Sequence, residues 1–368
     1  MKRIFLLLVF LLPLTCLAQI TTITGKLTNA TDKSAVADAS VFLSNATVGN
    51  KSANDGAFIL RNVKPGQYEL VVTVLGYETY RQTVMAGNEN LSLPDITLIP
   101  KTNELKEVVI KPDPDWERNY DTFKQEFLGS SALAKECKIL NPEMVDLEYD
   151  YAARTLNGSS YDFLEIENKA LGYKVKYLLS KFTKNYKSGV LYFEGSALFE
   201  DMKGTPKQRR RWLKNRMIAY EGSSMHFLRS VVGNNTEANG FKVLRLIRKP
   251  NPGYTGFNDK YIQTLVNIPL KTTEYTSITD VKGVFALKFT DCLYLMYTKK
   301  RDASPDNHVV QSLTMPNYLT TILSFAGPYA LFDSNGVILN LASVNIEGNW
   351  GKSRMAEMLP VDYSPGEK

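Results

Sequence analysis

Asn54–Val84, NDGAFILRNVKPGQYELVVTVLGYETYRQTV, is the stretch from which the fold of this chain is read, because its apolar pattern and its turns agree. Ala57-Phe58-Ile59-Leu60 is a short apolar run preceded by the turn dipeptide Asp55-Gly56, and Lys64-Pro65-Gly66 supplies a second turn. Pro65 presets the backbone for position i+1 of a turn and Gly66 can take positive φ at i+2, so the chain reverses there. Tyr68–Val74 is a β-branched run, broken by Gly76-Tyr77 before Tyr80–Val84. Further out, Ile23–Leu27 and Ala39–Leu43 alternate like half-buried strands. Ile20–Ile99 therefore reads as about six or seven short strands, with turn signals about every 8–12 residues, the pattern of a small antiparallel sandwich.

Gly25-Lys26-Leu27, Ala39-Ser40-Val41, Asn54-Asp55-Gly56-Ala57-Phe58, Pro65-Gly66-Gln67-Tyr68 and Leu75-Gly76-Tyr77 together resemble the carboxypeptidase-regulatory-like domain. The resemblance implies a prealbumin-like β-sandwich of the kind found at the front of exported Bacteroidetes proteins, TonB-dependent receptors among them. In those relatives the domain is an accessory module, so the resemblance implies a fold and no reaction. The zinc peptidase domain that gave the family its name has no counterpart in this sequence.

Met1–Ala18 reads as a secretory signal peptide: Lys2-Arg3 leads into the apolar run Ile4–Leu12, and Cys16 and Ala18 are small residues at −3 and −1 before Gln19. Cys16 offers a lipoprotein alternative, although Thr15 stands where that signal takes Gly, Ala or Ser. With 44% hydrophobic and 22% charged residues the chain has the makings of a packed core, which excludes a disordered polymer. Its net charge of +6 falls to about +4 once Lys2 and Arg3 leave, too mild to imply a polyanion such as nucleic acid. No later apolar run approaches the roughly 18 residues of a spanning helix, so the sequence reads as an exported protein of the periplasm or outer membrane surface. Cys137 and Cys292 can form one disulfide in such a compartment or serve as buried apolar residues.

Residues 100–114 read as a linker, in which Leu105, Val108 and Ile110 suggest a last strand and Pro112 and Pro114 a boundary. Residues 115–368 follow as a larger domain. It opens with a helix that Asp113 or Asp115 can cap, with Trp116, Tyr120, Phe123 and Phe127 on one face and Gly129 at its end. Ser130–Cys137 adds a second short helix. From Met144 the period becomes two: Val145, Leu147, Tyr149 and Tyr151 alternate with Asp146, Glu148 and Asp150. Acids so placed share one face of a strand. Carboxylates can serve a glycosidase or hold calcium, yet in strict alternation and without a Gly-rich loop they read as a solvated face.

Further strands are predicted at Phe163–Ile166, Tyr173–Phe182, Val190–Phe199, Phe241–Ile247, Val281–Phe289, Leu293–Thr298, Val309–Leu313, Tyr329–Phe332 and Val337–Leu341. The last two flank the hairpin signal Asp333-Ser334-Asn335-Gly336. The fold class is mainly β: an N-terminal prealbumin-like antiparallel β-sandwich at 20–99 and a larger antiparallel β-rich domain with helices near 115–137 and 205–232.

Within the insert Thr205–Val232, the residues Lys207, Arg209, Arg210, Arg211, Lys214 and Arg216 surround Trp212. Arginines can pair with phosphates while an indole sits at the boundary, so these seven positions form a candidate anionic-surface site; a solvated helix face is the alternative. Catalytic parts are scarce. His226 and His308 are the only histidines, and neither an HExxH motif, a GxSxG elbow nor a Gly-rich phosphate loop is present. Ser223, Ser224 and His226 cluster, but Ser223 and His226 have the i, i+3 spacing of a helix cap. Cys292 beside Asp291 lacks a cation to activate it.

Phe123–Lys368 is similar to exported Bacteroidetes proteins that join the same front sandwich to a β-rich region. The similarity rests on Phe127–Ser131, Ile166–Tyr173, Ala219–Ser223 and Met358–Tyr363; it implies an architecture and no mechanism. Three functions follow as expectations: a non-enzymatic cell-envelope protein binding a protein partner, a glycan or anionic-lipid binder of the outer membrane, or a hydrolase using carboxylates. The first is carried forward, with no catalytic residue, cofactor or metal assigned.

Overall fold

The structure, a computed structural model, describes residues 20–101, 114–302 and 316–366. The expected leader Met1–Ala18, linker strand Leu105–Ile110 and strand Val309–Leu313 lie outside the described residues.

Among the described residues eight strands build the front body: β1 (Thr21–Asn29), β2 (Ser40–Leu43), β3 (Gly49–Lys51), β4 (Ala57–Val63), β5 (Gly66–Thr73), β6 (Tyr80–Ala86), β7 (Leu91–Ser92) and β8 (Ile96–Leu98). One sheet has the order β3-β2-β5-β6; in the other β1 pairs antiparallel with β4 and parallel with the short β7 and β8. The faces close on Ile23, Leu27, Val41, Phe58, Leu70 and Val72, none more than 2% exposed. Gly56 turns at φ 80°, and a Cβ there would strike the Leu27 carbonyl, so this turn requires glycine. Strands as short as β3 and β7 leave no alternation to read, which is why eight form where the pattern suggested six or seven.

The second body contains α1 (Trp116–Leu128), β9 (Cys137–Ile139), β10 (Val145–Asp150), β11 (Thr155–Ser160), β12 (Leu164–Asn168), β13 (Tyr173–Asn185) and β14 (Leu191–Asp201). The long β13 takes β12 and then β11 along one side, while β14 runs along the other. α1 lies on this sheet by its aromatic face. Phe123 and Phe127 are fully buried, their rings edge-on to Phe182, Tyr177 and Phe193, whereas Trp116 and Tyr120 stack at 5.0 Å nearer solvent. The helix expected at Ser130–Cys137 is a single 3-10 turn, Ala134–Glu136. Ser131 there turns its hydroxyl to Glu357 and to the Ala134 N–H, a local bond that competes with helix.

The helical insert expected over Thr205–Val232 consists of two helices, α2 (Pro206–Tyr220) and α3 (Ser224–Val232). They break at Gly222, whose φ is 80° and whose carbonyl accepts the Trp350 indole N–H at 2.7 Å. Thr205 forms a capping box with Gln208, and Ser223 caps α3 by accepting from the His226 N–H at 3.1 Å. The third body adds β15 (Phe241–Pro250), β16 (Tyr261–Pro269), β17 (Thr276–Ile278), β18 (Val284–Leu287), β19 (Cys292–Arg301), β20 (Tyr318–Phe325), β21 (Ala330–Asp333), β22 (Val344–Gly348) and α4 (Asn349–Lys352). β16-β15-β19-β20-β22 form one sheet and β17-β18-β21 another, with Phe227, Leu228, Leu293 and Phe332 buried between them and α3. Val337–Leu341 is not the expected strand. The Asp333 carboxylate takes the Val337 N–H at 2.9 Å, leaving only an isolated bridge from Ile338 to Phe332. Among the described residues no helix is long and apolar enough to cross a membrane.

The bodies are joined by main-chain bonds. Asn45 donates to the Ala197 carbonyl at 2.7 Å and Phe199 to the Ala46 carbonyl at 2.9 Å, so the sandwich pairs with the edge of β14. The last segment, Met355–Tyr363, straps all three together. Met355, Ala356 and Leu359 enter the second core and Val361 the sandwich core. Asn168 donates to the Ala356 carbonyl at 3.0 Å, Val361 donates its N–H to Asn45, and Asp362 binds the Thr47 N–H at 3.1 Å. From α3, Arg229 donates to the carbonyls of Asn335, Val361 and Tyr363 at 2.8–2.9 Å.

Candidate functional site

The basic run of α2 divides into two groups. Trp212, expected at a boundary, is 6% exposed and donates its indole N–H to the Lys169 carbonyl at 2.9 Å. Gly172 and Gly204 lie against its ring, so the indole anchors the helix to the second body. Arg216 stacks on Tyr173 at 3.7 Å and donates to the Leu171 and Gly172 carbonyls and to Asp201. Arg211 pairs with Glu136, and Arg209 donates to the Gly204 carbonyl at 3.0 Å. Lys207, Arg209, Arg210, Arg211 and Lys214 are exposed. The helix thus carries basic side chains outward without an aromatic anchor among them.

Asp146, Glu148 and Asp150 do not converge with His226. They are exposed on β10, opposite Ser159, Asn157 and Thr155 of β11. His226 is surrounded by the rings of Tyr220, Phe241 and Tyr297; its Nδ1 accepts the Gly222 N–H at 3.2 Å and its Nε2 meets Asn239 at 3.2 Å. Burial lowers its pKa, favouring the neutral ring. Ser223 is spent on its cap. Cys137 and Cys292 are both buried free thiols, and burial pushes Cys137 up to about 12. Among the described residues no three His, Cys, Asp or Glu side chains gather in a metal-holding group.

What the structure brings together instead is a cleft of about 950 Å³ where the three bodies meet. The sandwich contributes Glu69 and Arg81, β14 contributes Tyr192–Gly195, the segment after the Asn-Gly turn contributes Val337–Ala342, and the strap contributes Met355, Glu357, Met358 and Leu359, with Arg354 just before it. Each of its carboxylates has a hydrogen-bond partner. Arg81 donates to Glu69 at 2.9 Å and bridges to Ser196 and Ser180 at 2.5 and 3.2 Å. Tyr192 donates its hydroxyl to Glu194, and burial with that carboxylate pushes the phenol up to about 12. Glu357 takes the Ser131 hydroxyl and the Arg354 N–H; burial raises its pKa and lowers that of Arg354.

At the floor Asp333 is 5% exposed, and burial pushes its carboxyl up to about 6 against the opposing pull of main-chain N–H groups and Arg229. Asn335, two residues on, reaches across to the Gln67 carbonyl at 2.7 Å. Leu339 and Leu341 leave apolar surface in the cleft, 45% and 41% exposed. The arrangement can receive hydrogen-bond donors, cations and apolar side chains. The sequence signals that could have found it were the Asp333–Gly336 turn and the Met358–Tyr363 passage, both readable as segments but not as neighbours.

Residues 23–110 match the CarboxypepD_reg-like domain family. No curated protein sequence matches the chain. Among solved structures the chain is similar to a protein of unknown function from Bacteroides fragilis, with 11% identity over 90% of this chain and 98% of that one and a TM-score of 0.19. It is similar over 22% of its length to a type II cohesin–X-dockerin complex from Acetivibrio cellulolyticus, with 18% identity, 58% of that chain covered and a TM-score of 0.20. It is likewise similar to the group B streptococcus pilus 2b backbone protein, with 22% identity, 22% of this chain and 42% of that one covered, and a TM-score of 0.20.

Proposed function

We propose that this chain, whose front is a carboxypeptidase-regulatory-like domain, is an exported, non-enzymatic protein of the cell envelope that holds a protein partner in the cleft between that domain and its β-rich region. The observation that carries the reading is the way the cleft is made. Its walls come from three bodies that are welded by main-chain pairing at Asn45–Ala46 and by the Arg229-bound strap, so the surface is preorganised. Apolar surface at Leu339 and Leu341 beside acidic and hydroxyl groups suits protein recognition. The hydrolase reading is weaker because each cleft carboxylate is already engaged by a neighbouring donor. The glycan or anionic-lipid reading keeps the exposed Lys207, Arg209, Arg210, Arg211 and Lys214, and it loses Trp212 as its aromatic anchor.

The test is site-specific photo-crosslinking in cells. A photoreactive residue at Leu339, in the cleft, is expected to trap a discrete envelope protein, whereas one at Phe257, fully exposed between β15 and β16 and outside the cleft lining, is not. Equal labelling from both positions, or none from Leu339, counts against the reading.

A further inference from the structure

β14 is the outer strand of the second body. β13 pairs along one side of it, and on the other the described residues supply only the bridge from Ala46 to Leu198. Two bonds fix which way its peptide groups point. Asn185 donates to the Val190 carbonyl at 2.9 Å on the β13 side, and Phe199 donates to Ala46 at 2.9 Å on the opposite side. Peptide groups alternate along a strand, and the irregularity in this ladder lies in β13 between Leu179 and Lys181. Alternation therefore runs unbroken through β14, and Leu191, Phe193 and Gly195 present N–H and C=O outward, as Ala197 and Phe199 do.

The sandwich occupies that edge at Ala197 and Phe199. At Leu191, Phe193 and Gly195 no hydrogen bond among the described residues takes it up, and Phe193–Gly195 face the cleft. An open edge is a template for another strand, and the Asn45–Ala46 pairing shows this edge accepting one. Charge narrows the occupant. On a chain of net charge +6, the cleft lining carries Glu69, Glu194, Asp333 and Glu357 against Arg81 and Arg354. Glu194 is exposed beside the open edge, and Leu339 and Leu341 offer apolar contact.

We infer that an extended polypeptide segment of the partner, alternating cationic and apolar side chains, adds to β14 as a further strand between Leu191 and Gly195. The inference rests on the partner-binding reading of the cleft and names the chemistry of what binds there.

The probes are octapeptides with blocked ends, one alternating Lys and Val, one alternating Glu and Val, and a Lys-Val form N-methylated at alternate residues so that one edge cannot hydrogen-bond. The Lys-Val peptide is expected to bind the folded chain about ten-fold or more tightly than either of the others. Its binding should slow hydrogen exchange at the Phe193 and Gly195 amides. Glu194→Lys, at an exposed side chain, should cost about ten-fold in Lys-Val affinity with the melting temperature unchanged. Phe193→Pro removes one outward N–H and leaves the bonds to β13 in place; if it fails to fold, Glu194→Lys and the exchange data decide.

Equal binding of the N-methylated peptide, binding without slowed exchange at those amides, or amides already slow in the free chain because another segment or a second copy holds the edge would each overturn the inference. Continued cross-linking from Leu339 in the Glu194→Lys chain, with those amides still fast, would sink strand addition and leave partner binding standing. Protection by the Lys-Val peptide with no cross-link in cells would do the reverse.

Discussion

The main-chain N–H of Asn45 donates to the carbonyl of Ala197 at 2.7 Å, joining two residues from bodies that the linker at 100–114 appeared to separate. With Phe199 and Ala46 it makes a short run of sheet pairing, the kind of contact found inside a domain. Asn45 sits at φ 60°, and its side-chain oxygen accepts the Ala197 N–H at 3.3 Å. Asn45→Ala loses that bond and pays a left-handed penalty, so it is expected to cost about 1–3 kcal/mol; Asn45→Gly, free of the penalty, should cost less. Urea unfolding of the two variants measures the difference.

Arg229 is the cation that closes the strap. Its guanidinium serves carbonyls of Asn335, Val361 and Tyr363, which would otherwise lose their partner in a partly buried site. Arg229→Met is expected to cost about 2–4 kcal/mol, and Arg229→Lys, with a point charge in place of a planar fork, should recover only part of it. Limited proteolysis should show the residues after Arg354 released in the Met variant and retained in the parent.

Asp333 gives a pH dependence with a definite sign. Its carboxyl moves from the ordinary 3.8 to about 6 on folding, so in that window the folded chain holds a proton that the unfolded chain has released. The contribution to stability is full below the unfolded value and is lost as pH rises through the folded one, amounting to roughly 3 kcal/mol. Asp333→Asn is expected to be flatter over this window and relatively more stable above it. Denaturant midpoints taken across pH 4–7, roughly this range, read it directly. A parent that gains stability relative to Asp333→Asn as pH rises would contradict the assignment.

On α2, fold and surface separate cleanly. Gly172 has φ 73°, and a Cβ on it would overlap the Trp212 indole, so Gly172→Ala is expected to destabilise by about 2–4 kcal/mol. Trp212→Ala should cost about 3–5 kcal/mol. Lys207→Ala, Arg210→Ala and Lys214→Ala lie at exposed positions and should each stay within about 0.5 kcal/mol. Thermal melts of the five variants make the comparison.

Much of the fold was legible because periodicity and turn chemistry are local. The Ala57–Leu60 run, the Gly56 turn and the aromatic face of α1 each carry their structure in adjacent residues. Where reading failed, a side chain had changed the backbone's options. Asp333 took the Val337 N–H and Asn340 took the Leu331 N–H, which together denied Val337–Leu341 a ladder. Trp212 looked like a surface residue among arginines because nothing nearby in sequence announces the Lys169 carbonyl or the glycines beneath it.

By itself the sequence determined a β-built chain, since strand alternation and turn residues act over a few positions, and its short motifs carried the resemblance of its front to a carboxypeptidase-regulatory-like domain. Only the tertiary structure decided that Glu69, Glu194, Asp333 and Glu357 would share one cleft and that, among the described residues, part of the β14 edge would take no partner strand. Those facts depend on Asn45, Arg229 and Met355–Tyr363 drawing together segments far apart in the chain, and contacts over such separations leave no period to read.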